Sequence, residues 1–125
     1  MKIIYKKTEE LIPYEKNPRK NEEAAKYVAK SIKDFGFLVP ILITKDNIVV
    51  AGHTRLKAAK INNMANVPCV IADGLSNEKI NAFRLIDNKS SEIAEWDNEL
   101  LKEEVKDLLD SIPNLDEYNF NIDDY

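Results

Sequence analysis

The sequence predicts an α+β fold, on the basis of two kinds of periodicity and of chain length. Between Asn21 and Gly36, apolar residues recur every three or four positions, which is the spacing of an amphipathic helix with a cap at each end. The runs 40–44 and 48–51 are short, rich in β-branched residues and separated by a polar turn at 45–47, which is typical of a β-hairpin. With 125 residues, 44% of them hydrophobic, the chain is large enough for one domain with its own core.

Caps, breakers and local periodicity predict the remaining elements. They are a strand over 3–5, a single helical turn capped by Thr8, a helix over 53–62, a strand over 67–72, a helix that follows Ser76 and ends near 87–89, and a helix that follows Asp97 and stops before Pro113. A helix therefore begins directly after the strand that Gly52 ends. Residues 114–125 show no clear period, and we expect an irregular tail there.

Charge divides the chain into two parts. Residues 1–91 carry 16 Lys or Arg against 10 Asp or Glu, whereas residues 92–125 carry 2 against 12. We therefore expect a functional domain over 1–95 and an acidic C-terminal helix and tail over 96–125. A mildly basic body favours an anionic ligand, and the acidic segment opposes binding to duplex DNA. Alternatively, both charge blocks only mark solvated surfaces.

Several classes of protein are excluded by composition. No stretch approaches the roughly 18 consecutive apolar residues that a membrane span needs, so we expect a soluble cytoplasmic protein without membrane association. The single Cys69 cannot form an internal disulfide, and with one histidine the chain cannot supply the ligands of a structural zinc site.

The most informative local pattern is a strand followed by Gly52, His53, Thr54, Arg55 and a helix. A helix start offers unpaired backbone N–H groups and the positive end of the helix dipole to an anion. Thr54 can add a hydroxyl bond, and Arg55 on the first turn can make two charge-assisted bonds to phosphate oxygens. These four residues, here named the phosphate cradle, form a candidate phosphate site; the alternative is an ordinary helix start that binds nothing.

Three stretches in this order resemble the ParB N-terminal domain family. They are Asn17-Pro18-Arg19, Gly36-Phe37-Leu38-Val39-Pro40, and the run 50–59 around the phosphate cradle. The resemblance spans most of residues 1–90. It implies a ParB/sulfiredoxin-like α+β fold, with a small mixed sheet in the form of a partly open barrel, flanking helices and, in this chain, a C-terminal amphipathic helix.

The resemblance also implies a ligand. In chromosome-partitioning members, a Gly-Glu-Arg-Arg stretch and a Glu-Asn-x-x-Arg stretch hold the phosphates and magnesium of CTP, and here they fall on 52–55 and 87–91. It thus implies a nucleoside triphosphate with Mg²⁺, a phosphate or nucleotide site of Arg19, Gly36, Gly52, His53, Thr54, Arg55 and Asn88, and Asp87 as metal ligand and catalytic residue. Val39 stands where many members have Gln, so selection of cytosine is not implied.

Each singled-out residue also has an ordinary structural interpretation. His53 can be a polar surface group, Asp87 with Asn88 can be a helix-end turn, Arg19 can form a salt bridge, and Trp96 can anchor the last helix instead of stacking on a base. The reductase chemistry of sulfiredoxin is not expected, because His53 occupies the position of its reactive cysteine.

A more specific setting follows from the stretches 84–89 and 94–97. With the Leu-rich acidic helix after them, they resemble ParB-like domains that precede DNA methyltransferase domains in phages and mobile elements. No Asp-Pro-Pro-Tyr or Asn-Pro-Pro-Tyr methyltransferase motif is present, so the chain is either a fragment or a module that stands alone. No helix-turn-helix segment follows residue 91, which predicts that DNA is bound weakly or through a partner.

The sequence thus predicts a DNA-associated domain that binds a nucleotide or phosphate and acts in regulation of a phage, plasmid or DNA-modification system. One alternative is a non-enzymatic interaction module that recruits a DNA methyltransferase. The other is an NTP hydrolase or nucleotide-dependent nuclease. Enzymatic activity and oligomeric state stay open, with a homodimer among the options.

Overall fold

The computed structural model describes residues 1–17 and 20–120. The strands are β1 (Ile4–Lys7), β2 (Ile41–Ile43), β3 (Val49–Ala51) and β4 (Asn66–Ile71), and the helices are α1 (Glu22–Phe35), α2 (His53–Ile61), α3 (Asn77–Ile93) and α4 (Asn98–Leu109). Short 3₁₀ helices cover Thr8–Glu10 and Pro113–Tyr118. The chain divides into two compact units, Met1–Ser90 and a second that begins at Ser91.

The four strands form one open, mixed sheet with the order β1-β4-β2-β3. Strands β1 and β4 are antiparallel, with Ile4 opposite Cys69, and β2 and β3 form the predicted antiparallel hairpin. Strands β2 and β4 are parallel, because β3 and α2 return the chain to the same end of the sheet. The predicted α+β class with a small mixed sheet is confirmed.

An extended segment after the first 3₁₀ helix continues the sheet beyond β3. The Ile12 N–H donates to the Asn47 carbonyl (2.8 Å), and the Val49 N–H donates to the Ile12 carbonyl (2.9 Å). Ile12 thereby pairs with Ile48 in a parallel bridge. This pairing fixes the path of the chain so that Tyr14, two residues later, reaches the start of α2.

The core of the first unit lies between the sheet and α2. Its fully or almost fully buried members are Leu11, Ile41, Ile43, Val49, Leu56, Ala59, Val67 and Cys69. Helix α1 packs against α2, and its buried face consists of Ala25 and Ala29, whose small side chains permit a close approach. The Asn62 amide donates to the Ala29 carbonyl (2.9 Å) and ties the end of α2 to α1.

Several sequence-based predictions of bounds and caps are wrong. The first strand runs over Ile4–Lys7, because its pairing with β4 decides where it begins and ends. Thr8 does not cap the helical turn; its hydroxyl is buried and donates to the Met64 carbonyl (2.7 Å). Helix α3 continues to Ile93, so Asp87 and Asn88 lie inside a helix and not at its end.

In the second unit, α4 begins where the sequence predicts. The Asp97 carboxylate accepts a hydrogen bond from the Leu100 N–H (3.2 Å), so Asp97 is the N-cap of this helix. The helix ends at Leu109, three residues earlier than the predicted stop before Pro113. A 3₁₀ helix that packs against α4 follows from Pro113. Over the described residues, no helix is both long enough and apolar enough to span a membrane.

Candidate functional site

Gly52 makes the junction between β3 and α2 possible. Its backbone adopts the left-handed conformation (φ 110°), and a Cβ at this position would lie 3.3 Å from the Cα and side chain of Ile41. Both the dihedral angle and the lack of space require glycine. Helix α2 thus begins directly after β3, as the sequence predicts, and its start lies against Ile41 of β2.

The start of α2 has unpaired backbone donors. The first helical hydrogen bond runs from the Leu56 N–H to the Gly52 carbonyl (2.9 Å), so the N–H groups of His53, Thr54 and Arg55 have no acceptor inside the helix. Gly52 has no side chain, and no side chain caps this end. No acidic residue lies in the first turn, so the positive end of the helix dipole is not neutralised there.

Arg55 is half-buried beside these donors. Its Nη2 donates to the Pro40 carbonyl in a long bond (3.4 Å), and its Nε is buried without a partner among the described residues. Burial lowers the pKa of Arg55, and the nearby Asp87 carboxylate opposes this effect. A guanidinium stays charged under these conditions, so Arg55 brings a positive charge with spare donors to the phosphate cradle.

His53 is held in its neutral form. The Tyr14 backbone N–H donates to Nε2 of His53 (3.1 Å), which leaves the proton of the neutral ring on Nδ1. Burial lowers the pKa of His53 to about 4, with further contributions from the charges of Arg84 and Lys57. Because Nε2 already accepts a hydrogen bond, this atom does not act as a metal ligand in this conformation.

Thr54 connects the starts of two helices. Its hydroxyl oxygen accepts a hydrogen bond from the side-chain amide of Asn21 (3.2 Å), which is the N-cap residue of α1. Asn21 is 6% exposed, and its own Oδ1 is buried without a partner among the described residues. With one lone pair engaged, the Thr54 hydroxyl can still donate its proton to a ligand.

The other predicted site residues lie on α3, at the end of α1 or outside the described residues. Asp87 is an exposed residue of α3 close enough to affect Arg55, and Asn88 follows it, partly exposed. Gly36 ends α1, where its N–H donates to the Ile32 carbonyl (2.9 Å), and no neighbour lies within 4 Å of its missing Cβ. Arg19 lies outside the described residues.

The sequence did not single out Arg84 or Tyr14. Arg84 is 3% exposed and lies four residues after Ile80, so these two residues define the buried face of α3. Phe83 and Ile86 are apolar, but both are largely exposed. The guanidinium stacks on the Tyr14 ring, with Cζ 3.7 Å from the ring centroid. The sequence does carry one signal for a buried arginine, since Arg84 lies one helical turn after the apolar Ile80.

The donor set fits magnesium only together with a ligand. Across residues 1–17 and 20–120, no group of three or more His, Cys, Asp or Glu side chains is placed to hold a metal ion. Mg²⁺ commonly binds through one or two carboxylates and completes its shell with substrate phosphates and water. Asp87 can serve as such a carboxylate beside the phosphate cradle.

A separate cavity of about 510 Å³, here named the distal cavity, lies at the other end of α2. It is lined by Lys7, Thr8, Glu9, Lys60, Asn63, Met64, Ala65 and Asn66. None of the predicted site residues contributes to it.

The fold and the phosphate cradle define an α+β domain in which a helix start without a side-chain cap follows a β-hairpin. Residues 2–89 match the ParB N-terminal domain, and the chain belongs to this family. A similar protein is the ParB-like nuclease domain-containing protein YnaK of Escherichia coli K12, with 38% identity over 80 residues, which cover 63% of this chain and 92% of YnaK.

Chromosome-partitioning proteins are related over the same region. The probable chromosome-partitioning protein ParB of Helicobacter pylori is 33% identical over 85 residues, which cover 64% of this chain and 29% of that protein. The fold is shared with the crystal structure of a C-terminally truncated ParB from Caulobacter crescentus complexed with CTP-γ-S, at a TM-score of 0.74 and 23% identity. That match covers 94% of this chain and 68% of the Caulobacter chain.

Proposed function

We propose that this domain binds a nucleoside triphosphate through its phosphates at the phosphate cradle. The observation that carries the proposal is the start of α2, where three backbone N–H groups without acceptors inside the helix lie beside Arg55, whose Nε has no partner among the described residues. Amide donors, a helix dipole and a guanidinium together are the groups that bind phosphate in proteins.

The nature of the ligand is supported by charge and by relatives. Triphosphates carry several negative charges. Arg55 belongs to the phosphate cradle, and the positive charges of Lys57 and Arg84 act on His53 in the same cradle. The related Caulobacter protein was crystallised with CTP-γ-S. Val39 is 56% exposed in the segment before β2, and we propose that this segment contacts the base without a fixed preference for cytosine.

Magnesium enters the proposal as a companion of the ligand. Asp87 would hold the ion against the phosphate oxygens, Asn88 would orient the ligand, and Arg55 would offset part of the phosphate charge. The ion would reduce repulsion between the phosphates and Asp87. Nucleotide and Mg²⁺ are therefore expected to bind together.

The wider setting is also part of the proposal. Residues 1–95 would act as the ligand-binding domain of a cytoplasmic, DNA-associated regulator in a phage, plasmid or DNA-modification system, with 96–125 as an acidic extension. A DNA methyltransferase is a candidate partner, and DNA would be contacted weakly or through that partner. Membership of a family that includes chromosome-partitioning proteins supports the association with DNA.

Isothermal titration tests the proposal. CTP, UTP, ATP, GTP and inorganic triphosphate are titrated into the chain with Mg²⁺ and again with EDTA. We expect binding of the nucleotides and of triphosphate, weakened by EDTA and reduced about ten- to a hundredfold by Arg55→Met, because a charge-assisted contact is lost. Lys60→Met, at the other end of α2, is the matched control and should bind as the wild type does. Absence of binding by the wild type would overturn the proposal.

Hydrolysis is a separate question that the same samples answer. YnaK carries the description ParB-like nuclease domain, which makes a nuclease or NTP hydrolase the second candidate function. Release of inorganic phosphate and cleavage of labelled DNA are measured in the presence of Mg²⁺. Turnover that Asp87→Asn abolishes would establish an enzyme, and binding without turnover would establish a ligand-controlled module.

A further inference from the structure

The strongest unexplained feature of the molecule is the buried charge of Arg84. This side chain is 3% exposed. Its Nη2 donates to the Val49 carbonyl (2.9 Å), its Nη1 donates to Oδ1 of Asn81 (2.8 Å), and its plane stacks on the Tyr14 ring. Its Nε is buried without a partner, and no carboxylate of residues 1–17 or 20–120 forms an ion pair with it.

Such an arrangement is unfavourable in the free protein. Arginine is almost never fully buried unless an anion pairs with it, because a guanidinium loses its hydration on burial. The two neutral acceptors and the aromatic ring fix the position of the Arg84 side chain, but they do not neutralise its charge. A compensating negative charge is therefore missing from the described structure.

The position of Arg84 indicates where that negative charge belongs. Val49 lies three residues before Gly52 on the strand that leads into the phosphate cradle. Tyr14, which stacks on the guanidinium, donates its backbone N–H to the ring of His53, the first residue of α2. The positive charge of Arg84 also contributes to the low pKa of His53.

We propose that Arg84 is a second cationic determinant of the phosphate cradle, whose buried charge is neutralised by the bound phosphates. This inference rests on the proposed function. Arg84 acts from beneath the protein surface, where the low dielectric constant strengthens its attraction to an anion, and its contacts with Val49, Asn81 and Tyr14 hold it in place. Arg55 approaches the ligand from the helix, and Arg84 approaches it from the side of α3.

An internal counter-charge provides a test that does not require removal of a buried side chain. Asn81→Asp keeps the shape of Asn81, which already accepts a hydrogen bond from Arg84, and supplies the missing carboxylate. We expect this variant to be more stable than the wild type without ligand, and to bind inorganic triphosphate and CTP with Mg²⁺ about tenfold more weakly. Asn77→Asp adds the same charge one turn earlier on α3 and is the matched control.

Arg84→Met is the second variant, since it removes the charge and keeps most of the volume. Where it folds, it should also bind about tenfold more weakly, and addition of triphosphate should raise its melting temperature less than that of the wild type. Where it does not fold, Asn81→Asp decides alone. Affinities of Asn81→Asp equal to those of Asn77→Asp would overturn the inference and leave the proposed function intact. A wild type that binds neither triphosphate nor nucleotide would overturn both.

Discussion

The chemistry of the His53 side chain is determined by its surroundings. From the sequence alone, a histidine at a helix start can be interpreted as a metal ligand or a phosphate donor. In the structure, Nε2 of His53 accepts a hydrogen bond from the Tyr14 N–H, and two cationic side chains lower its pKa. Its role is to fasten the segment around Tyr14 to α2. Both neighbours and burial oppose protonation, so the ring stays neutral over the physiological range.

The low pKa of His53 predicts a specific pH dependence. The pKa of His53 is about 4 in the folded state, below its ordinary value of 6.5. The contribution of the neutral ring to the stability of the protein is therefore fully present above pH 6.5 and is lost as the pH falls towards 4. The contribution is on the order of 2–3 kcal/mol. It is measured by comparing the unfolding free energies of the wild type and His53→Asn across this pH range. The contributions of the carboxylates are the same in both proteins and cancel in the difference. An NMR titration of the only histidine should give a midpoint near 4. A midpoint near 6.5 would contradict the half-buried position of His53 and its hydrogen bond with the Tyr14 N–H.

Gly52 offers a second prediction with an internal control. Gly52→Ala introduces a Cβ at a left-handed dihedral and 3.3 Å from Ile41, whereas Gly74→Ala meets a left-handed dihedral (φ 77°) with no neighbour within 4 Å. We expect Gly74→Ala to lower the unfolding free energy by about 1–2 kcal/mol, and Gly52→Ala to lower it by roughly 1 kcal/mol more. Chemical denaturation measures both. Equal losses would show that the close approach to β2 is not tight.

The helices and strands show which information the sequence carries. The stripe of α1, the hairpin of β2 and β3, and the helix start after Gly52 are each encoded by neighbouring residues, and all are found. The insertion of β4 between β1 and β2 depends on pairings between residues far apart in the chain, which no local periodicity reveals. Arg84 was missed for a similar reason, because Val49 and Tyr14, which hold it, belong to other elements.

The N-terminal cap of α4 is testable as a single interaction. Asp97→Ala removes the acceptor of the Leu100 N–H and a negative charge at the positive end of the helix dipole. We expect a loss of about 0.5–2 kcal/mol in the opening free energy of α4, measured as faster hydrogen exchange of the amides of its first turns. Asp97→Ser should restore most of the protection. Unchanged exchange in Asp97→Ala would exclude the cap as a source of stability.

We expect the distribution of charge to determine how the whole molecule behaves towards DNA. The net charge is −4, with the excess of acids concentrated after residue 91. An anionic protein gains little from the release of counterions that drives non-specific DNA binding.

We therefore expect weak binding to duplex DNA without sequence preference. Fluorescence anisotropy at several salt concentrations should show an affinity that falls steeply as salt rises. Neutralising the four acids of residues 114–125 (Asp116→Asn, Glu117→Gln, Asp123→Asn and Asp124→Asn) should strengthen binding, because their repulsion is removed. Tight, salt-insensitive and sequence-specific binding by the intact chain would contradict this expectation.

The most direct measurement is an NMR titration of the ¹⁵N-labelled chain with CTP and Mg²⁺. Binding at the phosphate cradle predicts that the largest amide shifts occur at His53, Thr54 and Arg55, whose N–H groups would receive phosphate oxygens as acceptors. Smaller shifts should follow at Asp87 and Asn88, and inorganic triphosphate should reproduce the changes in the cradle. Shifts confined to the distal cavity around Lys60 and Asn63, or no shifts at millimolar ligand, would contradict a phosphate site at the start of α2.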